Sequence, residues 1–116
     1  METRYEDLNQ DTVTTTAEAA LVGRLNAAVL GVTSTTKEKK KVTGVMAKCA
    51  NLGYLIGRLG GKTVFTFDMA CLNAMLTFAD LQIDVAVGET LALSHKSTSG
   101  GAPVSATLRY ELETTP

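Results

Sequence analysis

The chain predicts a mainly β protein: an antiparallel, jelly-roll-like β-sandwich of about eight strands with an extended N-terminal arm. Three observations carry that prediction. Residues 81–112 form a nearly unbroken series of period-two segments, in which Ile83, Val85 and Val87 alternate with Asp84, Ala86 and Gly88. Two adjacent glycines, Gly60 and Gly61, separate two runs rich in β-branched and aromatic residues. Short apolar runs recur at the spacing of about 8–12 residues expected of a sandwich or barrel.

The elements follow in chain order. Residues 1–16 are polar and threonine-rich, which favours an extended arm, and residues 17–116 are expected to form the sandwich. Residues 17–30 allow two readings. Thr16 could cap a helix presenting Leu21, Leu25, Ala28 and Val29 and stopping at Gly31, or the segment could pair as strands, an alternative that Val29–Thr36 favours for its second half. Lys37–Lys41 reads as a charged turn, and Val42, Gly44 and Met46 alternate with Thr43, Val45 and Ala47 in the strand after it. Gly53–Arg58 and Lys62–Phe67 flank Leu59-Gly60-Gly61, where adjacent glycines supply the positive φ of a tight hairpin turn. Asp68–Ala79 has helical spacing through Leu72, Met75, Leu76 and Phe78, or is an irregular crossing. Leu91 and Leu93 mark the next strand, and after the Ser97–Pro103 loop Val104, Ala106, Leu108 and Tyr110 mark the last.

Composition limits the function classes. At 116 residues, 45% hydrophobic, 20% charged and with a net charge of -1, the chain is one domain with a core of its own and no general affinity for polyanions. The start at Met1–Asp7 has no apolar stretch of the kind a secretory signal needs, and no run approaches the roughly 18 apolar residues of a membrane helix. Synthesis in the cytoplasm and no membrane partner are therefore expected. Cys49 and Cys71 have no CxxC spacing, and a disulfide between them has no support in the sequence.

No grouping of residues points to catalysis, so no enzyme activity is expected. Gly57–Thr63 superficially follows a phosphate-binding P-loop, but Ile56 stands where the first glycine must be and Lys62-Thr63 opens a strand, not a helix. His95 reads as a half-exposed histidine at a strand end, without the spacing of a triad. His95, Cys49 and Cys71 lie on separate elements, and Asp68, Asp80 and Asp84 lack the dense oxygen spacing of a calcium loop, so neither a metal nor a cofactor is expected. Lys37–Lys41 carries no aromatics on which bases could stack, which argues against nucleic acid as a partner. The threonine-rich arm is different. Such a segment can add to an exposed sheet edge of a neighbouring subunit through backbone hydrogen bonds alone.

Three stretches carry a resemblance: Val42–Ala47, the hairpin from Tyr54-Leu55-Ile56 to Val64-Phe65, and the ending from Ile83–Leu91 through Ser99-Gly100-Gly101 to Val104–Glu111. Over residues 41–112 the chain resembles the single jelly-roll structural proteins of phages and other icosahedral viruses. Residues 17–30 depart from that pattern. The resemblance implies a virion component, made in the host cytoplasm: a capsid cement (decoration) or minor capsid protein, homo-oligomeric as a trimer or ring, that stabilises the shell by binding the major capsid protein or other virion proteins. Its implied assembly contacts are Tyr5, Leu8, Val13 and Thr14 in the arm, Lys39, Lys40 and Lys41 in the charged turn, and Arg109 on the outward face of the final strands, where Asp84 and Glu111 are further candidates. Related sandwiches also bind carbohydrate, so the alternative is a carbohydrate- or receptor-binding module using Tyr54 and Tyr110.

Overall fold

A computed structural model describes residues 2–10, 18–49, 53–68, 79–97 and 104–114, and its elements there are all strands. They are β1 (Glu2–Gln10), β2 (Glu18–Ala20), β3 (Val22–Gly23), β4 (Val32–Thr33), β5 (Glu38–Cys49), β6 (Gly53–Leu59), β7 (Lys62–Asp68), β8 (Ala79–Val85), β9 (Thr90–Ser97) and β10 (Val104–Thr114). One sheet runs β3-β1-β10-β5-β8 and the other β2-β9-β6-β7, with β4 also paired to β9. All pairings between named strands are antiparallel.

The wiring is that of a jelly roll. β6 pairs with β7, β5 with β8, β2 and β4 with β9, and β1 with β10, so the chain doubles back as one long nested hairpin about Gly60-Gly61. Rolling that hairpin brings β10 against β5 and β9 against β6, which yields two sheets from one ribbon. Gly60 and Gly61 adopt φ of +59° and +88° at its tip, a conformation that L side chains rarely take.

Strand alternation builds the core between the sheets. β10 shows it most plainly: Val104, Ala106, Leu108, Tyr110 and Leu112 face inward and are buried. Leu55 from β6, Leu91 and Leu93 from β9, and Val42 and Val45 from β5 meet them, with Phe65 and Phe67 packed at the margin. Each fully buried leucine contributes about 1.5–3 kcal/mol relative to exposure.

Several sequence expectations need correction. There are ten strands, not eight, because residues 18–33, opposite β9, break into three short pieces, of which β3 joins β1 instead. The helix reading of residues 17–30 fails over the described residues: Leu25 is fully exposed, and Asn26 closes a local loop by accepting from Ala28 N through Oδ1 and from Val29 N through its carbonyl. Residues 2–10 are not a free arm. β1 pairs with β10 from Glu2↔Leu112 to Gln10↔Val104, and Leu8 is 1% exposed in the core, so residues 2–10 are a strand of the sandwich, which does not wait until residue 17. The charged turn lies earlier than expected, since Lys39–Lys41 already belong to β5, with Lys40 and Lys41 paired on both sides and Lys39 paired with Glu113. His95 is buried, not half-exposed. Val13, Thr14, Cys71, residues 69–78 and the loop at 98–103 lie outside the described residues.

Candidate interaction surface

β10 has neighbours on both sides, β1 and β5, and its outward positions therefore form the middle of a broad face. Opposed residues share a face, so the pairings define three rows across it. Tyr5 stands opposite Arg109, and Arg109 opposite Gly44. Thr3 stands opposite Glu111, Glu111 opposite Lys41, and Lys41 opposite Asp84. Glu113 stands opposite Lys39. Of the contacts expected from sequence, Tyr5, Lys39, Lys41 and Arg109 come together here, with Asp84 and Glu111 among them.

The face is polar, and acidic and basic residues alternate along its second and third rows. Lys41 has a carboxylate residue on each side, and a groove of about 460 Å³ runs between Lys39, Lys41, Asp84, Glu111 and Glu113. Tyr5, 56% exposed, is the large apolar side chain of the outer face of β1. Asp7 extends the polar surface by accepting from the Thr107 hydroxyl at 2.6 Å.

Arg109 is held in place from within its own sheet. Its Nε donates to Thr43 Oγ1 at 3.1 Å, and its Nη2 donates to the Thr43 carbonyl at 2.9 Å and to Asp80 Oδ1 at 3.1 Å. Gly44 makes that path available, because a Cβ there would lie 2.8 Å from Arg109 Nη2. Both the β5–β10 and the β5–β8 registers shift beside this network, so the guanidinium spans an irregularity in the sheet and projects a fixed cation beside Tyr5.

The remaining expected contacts lie elsewhere. Leu8 is core. Lys40 turns toward the sandwich interior: it stands opposite Leu112 and Val85, both buried, and its Nζ lies 5.4 Å from the centroid of the Tyr110 ring. Burial pushes the Glu6 carboxyl above its ordinary value, and the Lys40 ammonium offsets part of that rise. Reading the run of lysines as a turn hid Lys40 as an inward residue; the signal that finds it is the strand alternation continued backward from Val42 through Lys41.

On the other sheet, the outer face is closed by Glu18 and Arg58. Arg58 Nε and Nη2 donate to the two Glu18 carboxylate oxygens at 2.9 and 2.6 Å, joining β2 to β6 across β9, and Nη1 donates to Thr63 at 2.9 Å. Arg58 holds the Glu18 carboxyl below the usual range. Tyr110 is buried, which removes it from any exposed sugar platform and leaves Tyr54, 38% exposed on β6.

No known protein-family model matches the chain, and no characterised protein matches it significantly in sequence.

Proposed function

We propose that this protein is a structural component of a phage or other icosahedral virus particle, a capsid cement (decoration) or minor capsid protein that acts by binding and not by catalysis. The single observation that carries the reading is the nested jelly-roll wiring centred on Gly60-Gly61, an architecture that recurs in capsid domains. Its supporting feature is the outer face of β1, β10 and β5, where a fixed Arg109, an exposed Tyr5 and rows of alternating charge form a broad, polar surface. Tyr and Arg are the residue types that dominate binding energy at protein interfaces. The partner is the major capsid protein or another virion protein, and attachment as a symmetric homo-oligomer multiplies weak contacts by roughly 100-fold or more.

Co-sedimentation with purified shells of the virus whose genome encodes the chain tests this. The chain is expected to migrate with the shells, and Tyr5→Ala is expected to weaken attachment about tenfold while leaving the fold intact. A chain that stays at the top of the gradient, or that binds a glycan array through Tyr54 instead, overturns the reading.

A further inference from the structure

We propose that the outer face of β1, β10, β5 and β8 packs against the same face of a second copy of this chain, about a two-fold axis that runs along the strands between β10 and β5; this rests on the reading of that face as an interaction surface and names the homo-oligomer contact within it. The pairings order the face. Tyr5, Arg109, Gly44 and Asp80 make one row across the four strands, and Thr3, Glu111, Lys41 and Asp84 make the next, with Glu113 and Lys39 beyond them. Thr43 is the extra residue of β5 at the register shift, so Val42 and Val45 both point into the core while Lys41 and Gly44 both point out. All of these outward side chains are exposed or half-buried, and Gly44 lies beneath the Arg109 guanidinium.

Stacked sheets keep their strands roughly aligned, which leaves two kinds of two-fold axis in the plane between them. An axis along the strands carries β10 over the partner's β5 and keeps each row at its own level. Glu111 then faces the partner's Lys41 and Lys41 faces the partner's Glu111, and Glu113 and Lys39 repeat the exchange one row further. In the neighbouring row Tyr5 falls over the partner's Asp80, whose carboxylate accepts from the partner's Arg109, so the 56% exposed ring covers a guanidinium already held in place. An axis across the strands, through the Glu111 or the Glu113 row, instead keeps β10 over β10 and β5 over β5. Glutamate then meets glutamate and lysine meets lysine, an arrangement that like-charge repulsion opposes. Charge complementarity thus selects the axis along the strands. The contact is isologous, so it closes on itself and does not propagate into a fibre. Rows of charge in place of an apolar centre make it a weak association.

Sedimentation of the full chain at up to about 1 mM, in the absence of shells, tests the pairing. A monomer–dimer equilibrium that weakens as salt rises is expected. Lys41→Glu and Glu111→Lys should each weaken self-association about tenfold or more, because every substitution acts twice across the axis. An equimolar mixture of these two variants should restore association as a heterodimer, since an acidic row then meets a basic one. Within each chain of that mixture the row stays like-charged, so recovery reports the contact between copies and not a repaired fold. A wild-type chain that stays monomeric, a dimer indifferent to both single changes, or a mixture no more associated than its parts overturns the proposal, whether or not the chain migrates with shells. A dimer with the expected charge dependence that leaves shells alone upholds it and removes the particle reading only.

Discussion

Thr43 and Arg109 grip each other across the β5–β10 pair: the Thr43 hydroxyl donates to the Arg109 carbonyl at 3.3 Å and accepts from its Nε, while Nη2 donates to the Thr43 carbonyl at 2.9 Å. Thr43 is 9% exposed, so its groups have few alternatives in water. Removing the guanidinium leaves them undersatisfied. Arg109→Ala is expected to lower unfolding free energy by about 1–3 kcal/mol in urea titration. Arg109→Lys should recover little of it, since an ammonium cannot serve Thr43 and Asp80 in one planar fork. A double-mutant cycle with Thr43→Val should show coupling of about 0.5–3 kcal/mol, and additive losses would argue against the pair.

Leu8 and Tyr5 lie three residues apart on β1 with opposite fates. Leu8→Ala should cost about 2–5 kcal/mol by chemical denaturation, because it opens a cavity between the sheets. Tyr5→Ala should stay within about 1 kcal/mol. Deleting residues 1–10 removes a nine-residue strand paired along its whole length, so the truncated chain is expected to lose cooperative unfolding instead of behaving as a sandwich without an arm.

His95 is buried at 0% exposure, and burial depresses its pKa below the ordinary 6.5. The unfolded chain therefore binds the proton more readily than the folded one between the depressed value and 6.5. Stability contributed by the neutral ring is present above pH 6.5 and falls as pH drops below it. Glu6, raised from 4.5 by burial, works with the opposite sign: its contribution is present below 4.5 and declines as pH rises through its folded value. Unfolding free energy measured from pH 5 to 8 should fall on the acid side, and His95→Phe should flatten that slope. An unchanged slope would remove His95 as its source.

Lys41 stands between Glu111 and Asp84. Lys41→Glu places three carboxylates in a row across three strands, which is expected to cost about 0.5–2 kcal/mol at low ionic strength. Most of that loss should return in about 0.5 M salt, where screening acts within a few ångströms. Lys39→Glu, opposite Glu113 alone, should cost less, and thermal melts of the two variants at two salt concentrations compare them.

Alternation in residues 81–112 and the glycine pair at 60–61 were enough, by themselves, to point to a mainly β sandwich, the central hairpin and the inward set Val104, Ala106, Leu108 and Tyr110, because strand period is a local property. The outward placement of Asp84, Arg109 and Glu111 was legible for the same reason. Partnership was not. Residues 2–10 are polar enough to stand alone as an arm, and only pairing with β10, a hundred residues away, makes Leu8 a core residue and Tyr5 the neighbour of Arg109. The burial of His95 likewise depends on β2 and β6 flanking β9. Local sequence sets which way a side chain points along a strand; which strand lies beside it, and so whether that direction is core, face or edge, is decided by long-range closure of the roll.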